Sequence, residues 1–293
     1  MYTIVSGLFY LLSRLPWWLL YLIGDGIYVL LYYVFGYRKK VVAANLQIAF
    51  PEKTAAERKK IEKKFYHNFV DTFIETIKLF SVSEEEMRKR VSCNIDVVND
   101  LYASGQNVQI VTGHYFNWEV ANLGVALTCR YPFVVVYMPL ANKTFDRLIH
   151  RLRTRFGTLL VPATEFKNNF QQYVKNRYAL ILVADQNPGN PGKAYWTNFF
   201  SKPAPFVRGP EKGAKMNNTA IVYAHFYKVK RGYYQIDMEL ITTQPHEYAD
   251  GVLTKLLVRK VEDSVRKIPE NYLWSHRRWK HSDQAEKYKH LMV

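Results

Sequence analysis

Apolar residues run almost unbroken from residue 4 to residue 37. The run covers Ile4 to Leu12, Leu15 to Ile23 and Ile27 to Tyr37, and is interrupted by Arg14, Pro16 and Asp25. Each charge-free stretch is shorter than the roughly 20 residues that cross a bilayer cleanly. The segment therefore predicts one of two arrangements. It spans with Asp25 held against a protein face, or it forms a helix–break–helix hairpin in the interface, with Trp17 and Trp18 at head-group depth. A buried hairpin of a soluble protein is the plainer reading, and the density of aromatic residues argues against it. No basic region precedes the run and no small-residue cleavage site ends it, which disfavours a cleaved signal peptide. Arg38-Lys39-Lys40 follows at once, so the positive-inside rule places the chain beyond residue 37 in the cytoplasm. The expected organisation is a membrane anchor over residues 1–37 and a cytoplasm-facing domain over residues 38–293.

Beyond the anchor the period changes. Ile61, Phe65, Phe69, Phe73 and Ile77 recur every four positions, widened by Val70 and Ile74, and predict an amphipathic helix over residues 55–80. Arg58, Lys59, Lys63 and Lys64 form its polar face, read as a solvated or lipid-facing surface. Short β-branched runs follow: Val108–Val111, Phe133–Tyr137, Leu159–Val161, Ala179–Val183, Thr219–Phe226 and Tyr234–Leu240. Helical patterns separate several of them, at Trp118–Leu127, Thr144–Phe156, Phe166–Lys175 and Pro210–Met216, with a last one at Leu253–Lys267. This alternation predicts an α/β fold, a mixed central sheet flanked by helices. Residues 186–210, rich in Pro and Gly, read as one long functional loop.

Composition narrows the class. The 293-residue chain is 48% hydrophobic and 15% aromatic, too apolar for disorder, and carries a net charge of +16. Such a surface attracts nucleic acid, anionic lipid or acidic carrier proteins, and charge alone does not choose among them. Cys93 and Cys129 form no CxxC pair and are expected as reduced, buried thiols.

The candidate chemistry lies in Gln109-Ile-Val-Thr-Gly-His-Tyr-Phe-Asn-Trp-Glu119. A strand ending at Gly113 sets His114 at its C-terminal end, where α/β folds place their sites. Asn117 is a good N-cap for a helix starting at Trp118, and Glu119 in its first turn is favoured by the helix dipole. With His in the loop and Glu in the first turn, the two side chains are expected to meet. A carboxylate on one ring nitrogen would fix the tautomer and make the other a base toward an alcohol. Taken alone, this His–Glu spacing is more often structural than catalytic.

Gly113-His-Tyr-Phe-Asn-Trp-Glu119 resembles the signature of the bacterial lipid A biosynthesis acyltransferases, a branch of the lipid acyltransferases with His-x4-Asp or Glu. Tyr37-Arg38 with Asn45-Leu46 and Ala49-Phe50-Pro51, Arg153-x-Arg155-Phe156-Gly157, Ala184-Asp185-Gln186-Asn187-Pro188-Gly189 and Trp274-x-His276-Arg277-Arg278-Trp279-Lys280 resemble further family elements in the family's order. Phe116 stands where the family usually has Gly, a departure expected to reshape the pocket. The resemblance implies transfer of a fatty acyl group from acyl-carrier protein to a hydroxyl of a lipid A precursor at the inner membrane. His114 would be the general base and Glu119 its orienting partner. Arg153, with Arg151 and Arg155 beside it, is the expected oxyanion or phosphate contact. Asn117 and Asp185 are candidate positioning or substrate-binding residues. Arg277 and Arg278, with Lys280, form an expected basic patch for phosphorylated lipid or the acidic carrier.

No metal or cofactor is expected: His276 and His281 match no metal-binding spacing, and Walker A and Gly-x-Ser-x-Gly sequences are missing. Transfer is expected to be direct, without an acyl-enzyme. The alternatives are the same chemistry on another membrane lipid, a glycolipid, aminolipid or glycerophospholipid, and a non-catalytic membrane-surface binding protein. Nucleic acid is not an expected partner, because no nucleic-acid fold signature accompanies the Arg–Trp cluster.

Overall fold

A computed structural model describes residues 1–293. The chain opens with helices α1 (Tyr2–Ser13), α2 (Trp17–Val29, continued by a π-helical turn to Phe35), α3 (Lys39–Ala49), α4 (Ala55–Lys78) and α5 (Glu84–Arg90). It continues through β1 (Val91–Cys93), α6 (Asp96–Asn99), β2 (Val108–Thr112), α7 (Trp118–Ala126), β3 (Phe133–Tyr137), α8 (Lys143–Arg153), β4 (Leu159–Pro162), α9 (Ala163–Tyr173) and β5 (Ala179–Val183). Then come β6 (Tyr195–Phe199), β7 (Lys202–Phe206), α10 (Gly209–Asn217), β8 (Ala220–Lys230), β9 (Tyr233–Thr242) and α11 (Val252–Lys267).

Seven strands form one sheet in the order β1-β9-β8-β2-β5-β3-β4. Neighbours are parallel except β8 and β9, a long antiparallel hairpin. This is the mixed, helix-flanked α/β sheet the alternating pattern predicts. All five residues of β2 are buried, which explains its unbroken apolar run. Gln109 and Val111 meet α10 and α11, where the Gln109 amide donates to the Pro210 carbonyl at 2.9 Å.

The expected loop over residues 186–210 is not structureless. β6 and β7 pair within it as a separate antiparallel hairpin. Its Pro203 and Pro205 lie on β7, an edge strand of a two-stranded sheet, where a missing N–H is tolerated.

The predicted long helix is α4, started by a capping box between Thr54 and Glu57. Its buried surface is wider than the apolar stripe. Ile61, Phe65, Val70 and Ile74 are buried, but so are Glu62, Asp71 and Glu75, while Phe73 is 53% exposed. The reason is that α4 is covered on more than one side. Lys228 (2.6 Å) and Arg231 (2.7 Å) close on Asp71 from the β8–β9 hairpin. Glu75 accepts from the hydroxyls of Tyr21 and Tyr234, the Gly232 backbone and the Asn117 amide.

The N-terminal segment rests on α4. Leu20, Gly24, Tyr28 and Tyr32, four residues apart, form the face of α2 that is buried, and a Cβ at Gly24 would lie 3.2 Å from Ile74. The opposite face exposes Trp18, Leu22, Ile27, Leu30, Val34 and Phe35. Trp17–Phe35, 19 residues with a mean hydropathy of 1.6, is long and apolar enough to cross a membrane, by length and composition only. Asp25, the charge inside the run, is paired with Arg231 at 2.6 Å. Cys93 and Cys129 are free and only partly buried; burial pushes their thiols up to about 12 and about 11.

Candidate active site

The register of the sheet brings two loops together. Thr112 at the end of β2 pairs with Val183 at the end of β5, and the strands are parallel. His114 and Asp185 each stand two residues further on, so both emerge at the same edge. The crossovers leaving β2 and β5 run toward opposite sides of the sheet, which opens a crevice at this point. Asp185 Oδ1 lies 2.5 Å from His114 Nδ1, and Asp185 Oδ2 accepts the His114 backbone N–H at 3.1 Å. Leu273 N–H holds the His114 carbonyl at 3.1 Å.

Asp185 is fully buried. Burial alone would push its carboxyl up. The facing His114 charge, the His114 ring and backbone hydrogen bonds and the Tyr272 hydroxyl outweigh that and hold it at about 2. At neutral pH Asp185 is therefore an acceptor only, so His114 Nδ1 carries a hydrogen toward it, and in the neutral imidazole Nε2 is the atom with the lone pair. Nε2 bonds no protein group, and the ring lines a cavity.

The expected His114–Glu119 contact is not formed. Glu119 instead grips Arg153: Nη2 donates to Oε1 at 2.6 Å and Nε to Oε2 at 2.9 Å, with the Trp118 indole adding a bond at 3.0 Å. The physical reason is reach. Asp185 arrives on the strand beside β2 and takes the imidazole, while α8 sets Arg153 over the first turn of α7. Glu119 and Arg153 line the same cavity as His114. Arg153 Nη1 bonds nothing in the protein.

Other expected site residues fall elsewhere. Asn117 caps α7, accepting the Glu119 N–H at 3.2 Å, but its fully buried amide is spent on Glu75 and Thr72 and does not reach the cavity. Phe116 is fully buried among Phe65, Phe69 and Trp118 and does not line the cavity, so it does not reshape it directly. Arg155 holds the Leu79 and Val82 carbonyls beyond α4, and Arg151 is exposed on the far side of α8.

The C-terminal motif is mostly a clasp rather than a basic patch. Arg278 is buried, donates to Asn187 Oδ1 (3.0 Å) and the Pro205 carbonyl (2.9 Å), and lies over Phe206; burial pushes its guanidinium down to about 10. Asn187 in turn bonds His276 and the Arg277 carbonyl, fixing the loop that carries Asp185. Asn45 of α3 donates to the Trp274 and His276 carbonyls, and Arg38 to that of Ser275. Motifs far apart in the chain are thus one scaffold behind His114. Arg277 and Lys280 alone remain exposed.

The cavity measures about 490 Å³. Phe133, Val135, Ile149, Ile181 and Val183 make much of its wall, and Met138 and Leu140 stand exposed at its rim. These lining residues were not singled out from the sequence. Positions 133 and 135 of β3 and 181 and 183 of β5, alternate apolar residues along their strands, carried the signal.

An imidazole backed by a buried carboxylate and lining a largely apolar cavity has the chemistry to take a proton beside a bound apolar group. Comparison with known proteins gives the class its family. The model of the bacterial lipid A biosynthesis acyltransferases matches residues 1–281. The chain is 23% identical over 283 residues to a lipid A biosynthesis palmitoleoyltransferase of Escherichia coli (strain K12), covering 94% of this chain and 89% of that one. It is 24% identical over 277 residues to a lipid A biosynthesis lauroyltransferase of the same organism, with the same coverage. The chain belongs to the bacterial lipid A biosynthesis acyltransferase family and is an acyltransferase.

Proposed function

We propose that the protein transfers a fatty acyl group from an acyl-carrier-protein thioester to a hydroxyl of a lipid A precursor, on the cytoplasmic side of the inner membrane. The observation that carries this reading is the His114–Asp185 pair opening into an apolar cavity of about 490 Å³. His114 Nε2 takes the proton of the acceptor hydroxyl as its oxygen attacks the thioester carbonyl. Asp185 keeps the ring in the tautomer that can do so and stabilises the imidazolium that forms. The free Nη1 of Arg153, with its guanidinium fixed by Glu119, supplies positive charge to the tetrahedral oxyanion. Collapse expels the carrier thiolate, which takes the proton back from His114. The product is an ester, and neither an acyl-enzyme nor a cofactor enters these steps. Glu119 thus serves the reaction through Arg153 rather than through the imidazole. The exposed apolar faces of α1 and α2, with the basic run after residue 37, support a membrane-bound enzyme facing the cytoplasm.

The test is transfer of a labelled acyl group from the carrier-protein thioester to a lipid A precursor by the purified protein, with the product weighed by mass spectrometry. Acceptance of other membrane lipids in place of lipid A would move the acceptor and keep the chemistry. No transfer with any thioester donor would end the reading.

A further inference from the structure

A second cleft, of about 550 Å³, lies between α1 and α8 and is lined by Tyr2, Thr3, Ser6, Tyr10, Phe80, Arg151, Leu152 and Arg155. Helix α8 divides it from the catalytic cavity: Ile149, His150 and Arg153 face the cavity, while Arg151 and Leu152 face the cleft. Arg147, Arg151 and Arg155 recur every four residues along this side. None of the three is within ion-pair distance of a carboxylate, and no acidic side chain lines the cleft. Like charges at that spacing repel, so the stripe is unfavourable until an anion arrives. Burial, and Arg151 next to it, push the Arg155 guanidinium down.

The rest of the cleft suits the same ligand. The hydroxyls of Thr3, Ser6 and Tyr10 line the cleft and make no hydrogen bond within the protein. Along its outer face α1 exposes Ile4, Leu8 and Leu11, and at one end Phe9 packs edge-on to Phe145 of α8. Cations and hydroxyls beside an apolar helix match a phosphate carried on a lipid better than a soluble anion. We propose that this cleft holds a phosphate group of the lipid acceptor, with Arg151 and Arg155 as its charge partners. The proposal rests on the lipid-acceptor reading.

Arg151 bonds nothing in the protein, so Arg151→Glu and Arg151→Gln should leave the fold intact; Arg155, which also holds carbonyls beyond α4, is changed only to Lys, with a thermal melt as control. Binding of a phosphate-bearing lipid A precursor in detergent micelles is compared with binding of the same lipid stripped by phosphatase. The wild-type protein should prefer the phosphorylated form by about tenfold or more. Arg151→Glu should remove that preference and leave affinity for the stripped lipid within about twofold. A wild-type protein without the preference, or an Arg151→Glu variant that keeps it, would overturn the proposal. So would a variant that loses only binding to phosphatidylglycerol vesicles, since the cleft would then hold bulk head groups. Binding needs no turnover, so wild-type transfer without phosphate preference sinks the cleft alone, and absence of transfer to any lipid sinks the acceptor reading alone.

Discussion

The choice between two carboxylates decides how His114 works. Both Glu119 and Asp185 are buried and both line or touch the site, but only Asp185 holds the imidazole, at 2.5 Å. The heptapeptide around His114 made that residue legible as a candidate, and its Asn117 cap was read correctly because capping is a local, short-range effect. The partner was not legible, because it depends on which strand lies beside β2, and that is a fact of topology. Asp185→Asn should keep the fold and lower kcat by about a thousandfold or more, since the amide favours the wrong tautomer; steady-state rates with the carrier-protein donor check this. Glu119→Ala and Arg153→Ala should each cost roughly 3 kcal/mol in urea unfolding, by stranding the buried partner. The double variant should lose clearly less than the sum, and strict additivity would break the pairing. Phe116→Gly, toward the family's usual residue, should cost about 3 kcal/mol or more through the void it leaves. It should leave acyl-chain preference unchanged, because the ring faces α4 rather than the cavity.

Helices and central strands followed the apolar patterns closely: β3 and β5 match their predicted ranges residue for residue, and β2 and α11 lie within one residue of theirs. The elements β1, α3, α5, α6 and the β6–β7 hairpin escaped. β1 is three residues long, too short to show an alternation. α3 was read only as part of a family element, because its Asn45, committed to the distant Trp274 and His276 carbonyls, interrupts its apolar stripe. The β6–β7 hairpin was masked by its prolines. Glu62, Asp71 and Glu75 lie off the apolar stripe of α4, and the docking of α2 and the β8–β9 hairpin buries them. Arg231 ties these pieces together, reaching Asp71 and Asp25 at once. Arg231→Met should cost about 2–3 kcal/mol, since Lys228 still faces Asp71. It should also expose the turn near Arg14 to protease, and unchanged cleavage there would mean that α2 is held by its apolar face alone.

At the scale of the whole molecule, two histidines are built in neutral. Burial pushes His225 down to about 4, and burial with Arg278 does the same to His276. An unfolded chain binds these protons below about 6.5 while the folded one does not. Stability is therefore fullest above about pH 6.5 and falls as pH drops toward 4. Urea midpoints across that window should decline, and His225→Gln should flatten the decline. The N-terminal segment joins the same core as the sheet through Leu20, Tyr28 and Tyr32, with its exposed apolar face turned away. Sequence pattern showed that this segment is apolar, but not which face the protein keeps for itself. The account stands most directly on one measurement: mass analysis of a lipid A precursor after incubation with the acyl-carrier-protein thioester and wild-type, His114→Ala or Asp185→Asn protein. The wild type is expected to add one acyl mass, His114→Ala none, and Asp185→Asn at most a trace. Full acylation by either folded variant would contradict it.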